Sequence, residues 1–583
     1  MFKFSSIESF VGQFQSRPRQ PDNSPLSPLW LMLWAMLLAC PWLLPNHFPP
    51  WSAFHADAWM GIAMALGAIA VAWRVPGAIS WRGLPLVVAL LVAVPWLQYG
   101  AGMLPFRGQA WMSSLYLLGF LLALQVGAAW EAVSPDQLTK ALFIAIGIAA
   151  LVSVWLQLYT WLGQWDGAVT DIWSMGYSGA RPYANLGQPN QLATLLIWAI
   201  LACLWANVSG VLGKASAVSV AAFLLFGLAL TQSRMGWLAL TAVLAGIWFW
   251  RSLWPDRRLP WIVSGLYAYF WLCPFVLRWL HSVVMQGDDA SFLRLQEQGE
   301  LRLSAWRLFV HAALERPWTG YGWTELASVQ LAVANQMPAI PTTFGHSHNL
   351  FLDLVLWCGL PLGLLLTGVL LRWFWIRLRA VKTPQEAALF MVLGAVGIHA
   401  MVELPLHYAY FLLPVGLIIG ALEQRLHMRP VLAVGRNFVL ALWLCMAALL
   451  SIFIRDYIRV EDSYRTLRFE WASIKTAPAQ TPDVLLLTQW RDYFTAVRLQ
   501  PKAGMDVADV TFLRDLAGVY PNTGLLQKLA KSLALNDEPA EAALWLTRAC
   551  QMVPRTQCVA LKQSWAAQSQ DSPKIAAANW PGE

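Results

Sequence analysis

Runs of about 20 mostly apolar residues recur from residue 28 to residue 454, broken by short polar or Pro/Gly-bearing stretches. Backbone polar groups in lipid must be paired within their own segment, so such runs predict membrane helices. Thirteen are expected, at 29–45, 59–73, 84–98, 111–130, 141–162, 190–207, 214–231, 235–251, 260–281, 348–371, 386–402, 405–423 and 437–454. Ahead of them, Phe2, Phe4, Ile7, Phe10, Val11 and Phe14 recur near helical spacing within residues 1–27. That pattern fits a short helix lying on the membrane surface or a disordered tail, and no removable signal peptide is expected. The long polar loop 282–347 holds an amphipathic stretch from Leu301 to Leu314, then Pro317, Gly320 and Gly322 interrupt the period.

After residue 454 the pattern changes. Residues 455–583 lose the long apolar runs and mix their charges. The runs 523–534 and 539–552 predict an antiparallel helix pair, tetratricopeptide-like in its Val553-Pro554 ending. The expected architecture is all-α, with an amphipathic tail over 1–27, a polytopic membrane domain over 28–454 and a small helical domain over 455–583. Contact with a protein partner and a structural cap are both open uses for the last of these.

Composition agrees with a membrane protein: 58% of the 583 residues are hydrophobic and 12% are charged, against about 25% charged in ordinary globular chains. Many of the 35 tryptophans flank the apolar runs, as an aromatic belt would. The net charge of +8 is no nucleic-acid signal, because much of the Lys and Arg sits in short inter-span loops. Lys3, Arg17, Arg19, Arg74, Arg82, Lys140, Lys214, Arg251, Arg372, Arg377 and Arg425 fall in alternate loops, whereas the opposite short loops hold only Arg107, Arg181 and Arg234. The positive-inside rule puts the first set in the cytoplasm. With thirteen spans the N-terminus is then cytoplasmic and the C-terminal domain lies on the far side, the periplasm in a Gram-negative bacterium. There Cys550 and Cys558 would be free to form a disulfide.

Polar residues crowd one expected span. His346, Ser347, His348, Asn349 and Asp353 occupy the start of the tenth. Polar groups at that depth are costly and usually functional, and a helix N-terminus suits an anion such as phosphate. His348 is either the centre of an enzyme acting on a lipid-linked phosphate ester or part of a helix cap. The loop count sets three other clusters on the same side. They are Arg181 with Asn185, Gln188, Asn190 and Gln191; the turn Thr231–Gly236 containing Arg234; and Glu403 through Tyr410, containing His407 and Tyr408. Arg302 in the long loop joins them. An interface lined by Arg and His suits a diphosphate, since guanidinium offers planar, multidentate contacts. No P-loop, Asp-x-Asp or zinc-type spacing occurs. The energy for a reaction outside the cytoplasm would then come with the substrate itself, as in a sugar held on a lipid diphosphate.

The stretches Arg181-Pro-Tyr-Ala-Asn-Leu-Gly-Gln-Pro-Asn-Gln, Ser233-Arg-Met-Gly, His346-Ser-His-Asn-Leu-Phe-Leu-Asp and Val402-Glu-Leu-Pro-Leu-His-Tyr-Ala-Tyr-Phe resemble those of the bacterial protein O-oligosaccharyltransferases of PglL type. That family shares a GT-C-like superfamily with the O-antigen ligases and polymerases. The resemblance spans residues 28–454. It implies transfer of a glycan en bloc from undecaprenyl diphosphate to Ser or Thr of a periplasmic protein, often a type IV pilin, in the bacterial inner membrane. It implies His348 as the essential histidine, Arg234 and Arg302 as holders of the diphosphate, and Gln188 and Tyr408 at matching positions. Arg181, Asn190, His346, Asn349 and Glu403 stand beside them as supporting residues. The family uses no metal or other cofactor, and direct attack would invert the sugar's anomeric centre. Gln191 departs from the family pattern, where His is common. Two other functions remain open: an O-antigen ligase or polymerase with a sugar acceptor, and a transporter of lipid-linked sugar.

Overall fold

The computed structural model describes residues 27–72, 74–75, 79–162, 173–175, 181–284, 297–323, 326–474, 480–578 and 580. The surface helix or tail expected over 1–27 lies outside these, apart from its last residue. The described chain is helical almost throughout. In order come α1 (Pro28–Ala39), α2 (Phe54–Ala72), α3 (Gly83–Leu91), α4 (Val94–Gly100), α5 (Arg107–Val133), α6 (Gln137–Trp161), α7 (Pro189–Val208), α8 (Lys214–Leu230), α9 (Arg234–Phe249) and α10 (Leu259–Val284). They are followed by α11 (Glu297–Glu315), α12 (Ala327–Val333), α13 (Leu350–Ala380), α14 (Pro384–Ala400), α15 (Ala409–Arg425) and α16 (Arg436–Trp471). The C-terminal helices are α17 (Thr488–Arg498), α18 (Val507–Val519), α19 (Thr523–Leu535), α20 (Pro539–Gln551) and α21 (Arg555–Gln570). Two three-residue strands, β1 (Ile79–Trp81) and β2 (Leu432–Val434), pair antiparallel with Ile79 opposite Val434.

Eight helices among the described residues are long and apolar enough to cross a membrane, namely α2, α3 with α4, α5, α6, α7, α10, α13 and α16. The molecule is a polytopic all-α membrane protein. Each apolar run falls on a helix, but several ends move. The segment expected at 59–73 begins at Phe54. The one at 84–98 is two short helices, the second opening on Val94-Pro95. The segment expected from 405 starts as a turn over Pro405–His407, and α15 follows it. The amphipathic stretch of the long loop lies inside α11.

α5 and α15 run in close contact because small residues meet there. A Cβ on Gly127 would collide with the Leu417 carbonyl, and one on Gly420 with the Leu124 carbonyl. Small residues of this kind are how membrane helices approach without a hydrophobic drive between them.

The span expected over 348–371 is not one straight helix. At Gly359 (φ 77°, ψ 168°) the backbone leaves the helical region. The break frees carbonyls and amides that must find partners. Pro317–Tyr321 supplies them: Leu360 N donates to Pro317 O at 2.7 Å, and Tyr321 N to Leu356 O at 2.7 Å. Gln98 Nε2 takes the Trp357 carbonyl at 2.8 Å, and its oxygen accepts from Trp323 N at 2.9 Å. Gly320 (φ 68°) faces Gly359 in this contact, and a Cβ on Gly320 would lie 2.7 Å from Gly359 N. The polar loop is thereby docked onto the membrane bundle just beyond the His-Ser-His-Asn stretch.

α16 runs unbroken through residue 454, where the membrane domain was expected to end. Its outer half anchors the C-terminal helices. Buried Asp456 accepts from the backbone N of Leu485, Leu486 and Leu487 at 2.8, 2.6 and 3.3 Å. Tyr457 Oη exchanges hydrogen bonds with the Trp51 backbone, both at 3.0 Å. α17 to α21 share a second apolar core with this part of α16 and with Phe54 and Phe106. Cys550 and Cys558 are disulfide-bonded, with Cα atoms 4.8 Å apart, across the α20–α21 turn. Just beside that turn, Ile340 N donates to Gln551 O at 3.0 Å and Thr343 Oγ1 to Met552 O at 3.3 Å.

Candidate active site

The site is built on Glu403, in the turn between α14 and α15. Its carboxylate is nearly inaccessible and gathers four groups from three stretches of chain. Oε2 lies 3.1 Å from His348 Nδ1 and accepts from Gln188 Nε2 at 3.3 Å. Oε1 accepts from Asn190 Nδ2 at 3.1 Å and forms an ion pair with Arg302 Nη2. Burial alone would raise the Glu403 pKa, yet the His348 hydrogen bond and the charge of Arg302 hold it below the ordinary carboxylate value. Glu403 is therefore a carboxylate at neutral pH, and a buried carboxylate needs this many partners.

Local chemistry sets each partner. Gln188 is the N-cap of α7, followed by Pro189 at the first helical position, where a missing N–H costs nothing. Asn190 is held from behind by Ser233, whose Oγ lies 2.6 Å from Asn190 Oδ1. Ser233 in turn caps α9 by accepting from Gly236 N at 3.0 Å. Arg234 is then the exposed first residue of α9. Arg181 donates from Nε to Thr231 O at 3.0 Å. Burial, with the like charges of Arg302 and Arg234, lowers its pKa. The arginines outnumber the one carboxylate, so this face of the site carries excess positive charge.

His348 has a left-handed backbone (φ 60°), as do Ala184 and Gln232 in the neighbouring loops. Residues other than glycine rarely adopt it, and strained backbone of this kind clusters at functional sites. The residues around His348 over-determine it. Asn349 caps α13, its Oδ1 accepting from Phe351 N and Leu352 N at 3.1 Å each, while its Nδ2 donates to Met401 O at 3.3 Å. Ser347 is fully buried; its N donates to Asp353 Oδ1 at 3.0 Å, and its carbonyl accepts from Trp306 Nε1 at 2.9 Å. With Glu403 on Nδ1, the second nitrogen of His348, Nε2, is the one available to a substrate.

The structure does not bring every expected residue to this carboxylate. His346 turns the other way, its ring centroid 3.8 Å from that of His407. His407 Nε2 lies 3.6 Å from Asp353 Oδ2. Burial, then the charges of His407 and His348, hold the His346 pKa well below its usual value, so this imidazole is neutral. Ligand atoms of His346, Asp353 and His407 lie within 4.8 Å of one another, close enough to hold a divalent cation. The same arrangement also suits a carboxylate orienting an imidazole. Tyr408 caps α15 beside Tyr410, whose Oη lies 2.6 Å from Gln191 Oε1.

Two carboxylates have positioning roles that sequence patterns do not mark. Asp353 belongs to the His-Ser-His-Asn stretch, but no spacing pairs it with His407. Asp57 lies in α2, where a lone acid near an apolar run signals only cost. Its Oδ1 accepts from Ala409 N at 2.6 Å and its Oδ2 from Tyr116 Oη at 2.6 Å, fixing the start of α15 next to Tyr408. Asn185 has a comparable task, donating to Leu43 O and Trp173 O at 2.7 Å, while its own carbonyl lies 2.7 Å from His47 Nε2.

The membrane bundle thus holds arginines and a carboxylate-bound imidazole, groups chemically suited to a membrane enzyme that transfers a glycan from a lipid-linked donor. Known proteins agree. Residues 219–367 match a family described as O-antigen ligase, residues 182–205 one described as protein glycosylation ligase, and residues 387–565 the C-terminal part of a virulence factor membrane-bound polymerase. The chain is 29% identical over 529 residues to a general O-oligosaccharyltransferase of Acinetobacter baylyi, covering 88% of this chain and 90% of the relative. It is 30% identical over 259 residues to a ComP-specific O-oligosaccharyltransferase of the same organism, covering 44% and 46%. The chain is thus homologous to O-oligosaccharyltransferases, which are glycosyltransferases, and parts of it match the O-antigen ligase and protein glycosylation ligase families.

Proposed function

We propose that the protein transfers a glycan en bloc from undecaprenyl diphosphate to a Ser or Thr hydroxyl of a periplasmic protein such as a type IV pilin. The observation that carries this reading is the convergence of His348, Arg302, Gln188 and Asn190 on Glu403. In the proposed mechanism the donor's diphosphate binds Arg234 and Arg302, with Arg181 behind them. Glu403 holds His348 by Nδ1, leaving Nε2 to take the proton of the attacking hydroxyl. The new bond joins the hydroxyl oxygen to the sugar's anomeric carbon, and the bond from that carbon to phosphate breaks. The arginines stabilise the charge that collects on the departing diphosphate. Attack from the side opposite the phosphate inverts the anomeric centre. The proposed setting is the bacterial inner membrane, with the N-terminus cytoplasmic and the site end of the bundle and the C-terminal helical domain (455–583) in the periplasm. The placement of Lys and Arg in alternate loops supports that orientation.

The test is purified protein with lipid-linked glycan and a pilin, followed by mass spectrometry. A glycan mass on a pilin Ser or Thr is expected. Transfer that persists in His348→Ala would overturn the assignment of the catalytic residue. The O-antigen ligase and polymerase matches favour one second reading, a sugar acceptor. A deletion strain with intact O-antigen and unglycosylated pilin excludes it.

A further inference from the structure

Two stretches of chain near His348 present different residues to two sides. Over 346–348, His348 faces Glu403 and the arginines, while His346 faces a cavity of about 710 Å³. Over 403–408, Glu403 faces the arginine side, while Leu404, Leu406, His407 and Tyr408 line the cavity. His348 and Glu403 are absent from the cavity lining, so these two stretches lie between the arginine side and the cavity. The cavity's membrane-level walls are apolar. Its upper walls come from three places: Trp51 and Ser52, the start of α5 with Gln109 and Ser113, and the C-terminal helices with Gln489, Trp490 and Tyr520. Among the described residues, its lining contains no Lys, Arg, Asp or Glu.

Charge assigns the two sides. A diphosphate belongs with Arg181, Arg234 and Arg302, and the cavity offers it no cation. What the upper cavity offers is amides, hydroxyls and aromatic faces, ending at two imidazoles and a phenol. The Trp490 and Tyr520 rings lie 5.6 Å apart, and Tyr493 packs behind both at 5.7 and 5.8 Å. Rigid aromatic groups of this kind bind polypeptide with large contact area and little entropy loss. We propose that the acceptor polypeptide reaches the reaction centre through this cavity, from the face opposite the donor, and that Trp490 and Tyr520 are the residues that grip it. This rests on the protein-glycosylating reading above and adds the acceptor's route. The C-terminal helices are then a wall of the substrate site.

The test uses full-length protein, lipid-linked glycan and purified pilin. Trp490→Ala and Tyr520→Ala should each raise the pilin KM by roughly tenfold, with donor KM unchanged. Trp490→Phe should return pilin KM to within about threefold of wild type, and the unchanged donor KM of the alanine variants separates lost acceptor contact from a folding defect. A photo-crosslinking side chain in place of Tyr520 should capture pilin. Wild-type transfer with unchanged pilin KM in both alanine variants overturns the route alone. So does a rise in donor KM instead, or capture of the lipid-linked glycan. A wild-type protein that glycosylates no protein overturns the parent reading together with the route.

Discussion

His348 Nδ1 and Glu403 Oε2 lie 3.1 Å apart, and the same carboxylate holds Arg302 through its other oxygen. One buried acid thus ties the imidazole to the positive face of the site. Glu403→Gln keeps the shape but removes the charge, so the orienting hydrogen bond and the ion pair both weaken. We expect transfer to fall by about 100-fold or more in Glu403→Gln and by roughly 10²–10⁴-fold in His348→Ala, both proteins remaining in the membrane. Mass-spectrometric turnover of lipid-linked glycan checks it.

The depressed pKa of Glu403 also carries a stability signature. A carboxyl group with a lowered folded pKa contributes stability that is complete above its unfolded value, about 4.3. That contribution disappears as pH falls through the lower folded value. Thermal unfolding in detergent should therefore show an acid-side loss below about pH 4.3 that is shallower in Glu403→Gln.

Arginine forks and lysine point charges are not equivalent for a diphosphate. Arg302→Lys and Arg234→Lys preserve charge and should still raise donor KM about tenfold, since planar two-point contact is lost. Equal donor KM in both variants would remove these residues from the donor site.

Asn349 gives a test that separates cap from site. Asn349→Ala removes the α13 cap and should cost about 1 kcal/mol. Asn349→Asp restores the cap but cannot donate to Met401 O, which ties His348's turn to the end of α14. Asn349→Asp should regain most of the lost Tm while activity stays reduced. Recovery of both would make Asn349 a cap alone.

Gly359→Ala should be among the most damaging single-atom additions. Its backbone lies in a region almost confined to glycine, worth roughly 1–3 kcal/mol. The new Cβ would also meet the Trp318 carbonyl and lie 2.8 Å from Thr319 N. We expect a lowered Tm and faster proteolysis of the 317–323 loop. The same change at Gly368, where a Cβ meets nothing within 4 Å, is the control.

How much of this the sequence revealed depends on the kind of signal. Apolar runs located the helices, because burial in lipid demands them. Gln188 with Asn190, Arg302, His348 and Glu403 stood out in four separate segments because polar side chains beside apolar runs are rare and costly. Their meeting on Glu403 was not legible, since no local pattern encodes which loops share a carboxylate. The break at Gly359 was hidden for a similar reason. An apolar Gly-Leu-Pro continues a hydrophobic run, and only the docking of residues 317–321 makes the break affordable. The expected end of the last span at 454 followed the loss of apolar residues, whereas α16 continues because Asp456 and Tyr457 find partners in other segments. Asp57 has no pattern around it that marks a role, because that role depends on Tyr116 and Ala409, far away in sequence.

α16 sets a dimension that no loop could. At 1.5 Å per residue its 36 residues span about 54 Å, well beyond a hydrocarbon core of about 30 Å. It is a mast, and the C-terminal helices are fastened to it through Asp456. Helix geometry and the Asp456 contacts together set how far those helices stand from the apolar half of α16. On the proposed route, accommodation falls to the incoming chain. A thin, extended strand with a hydroxyl near its middle is the form of acceptor that suits this route.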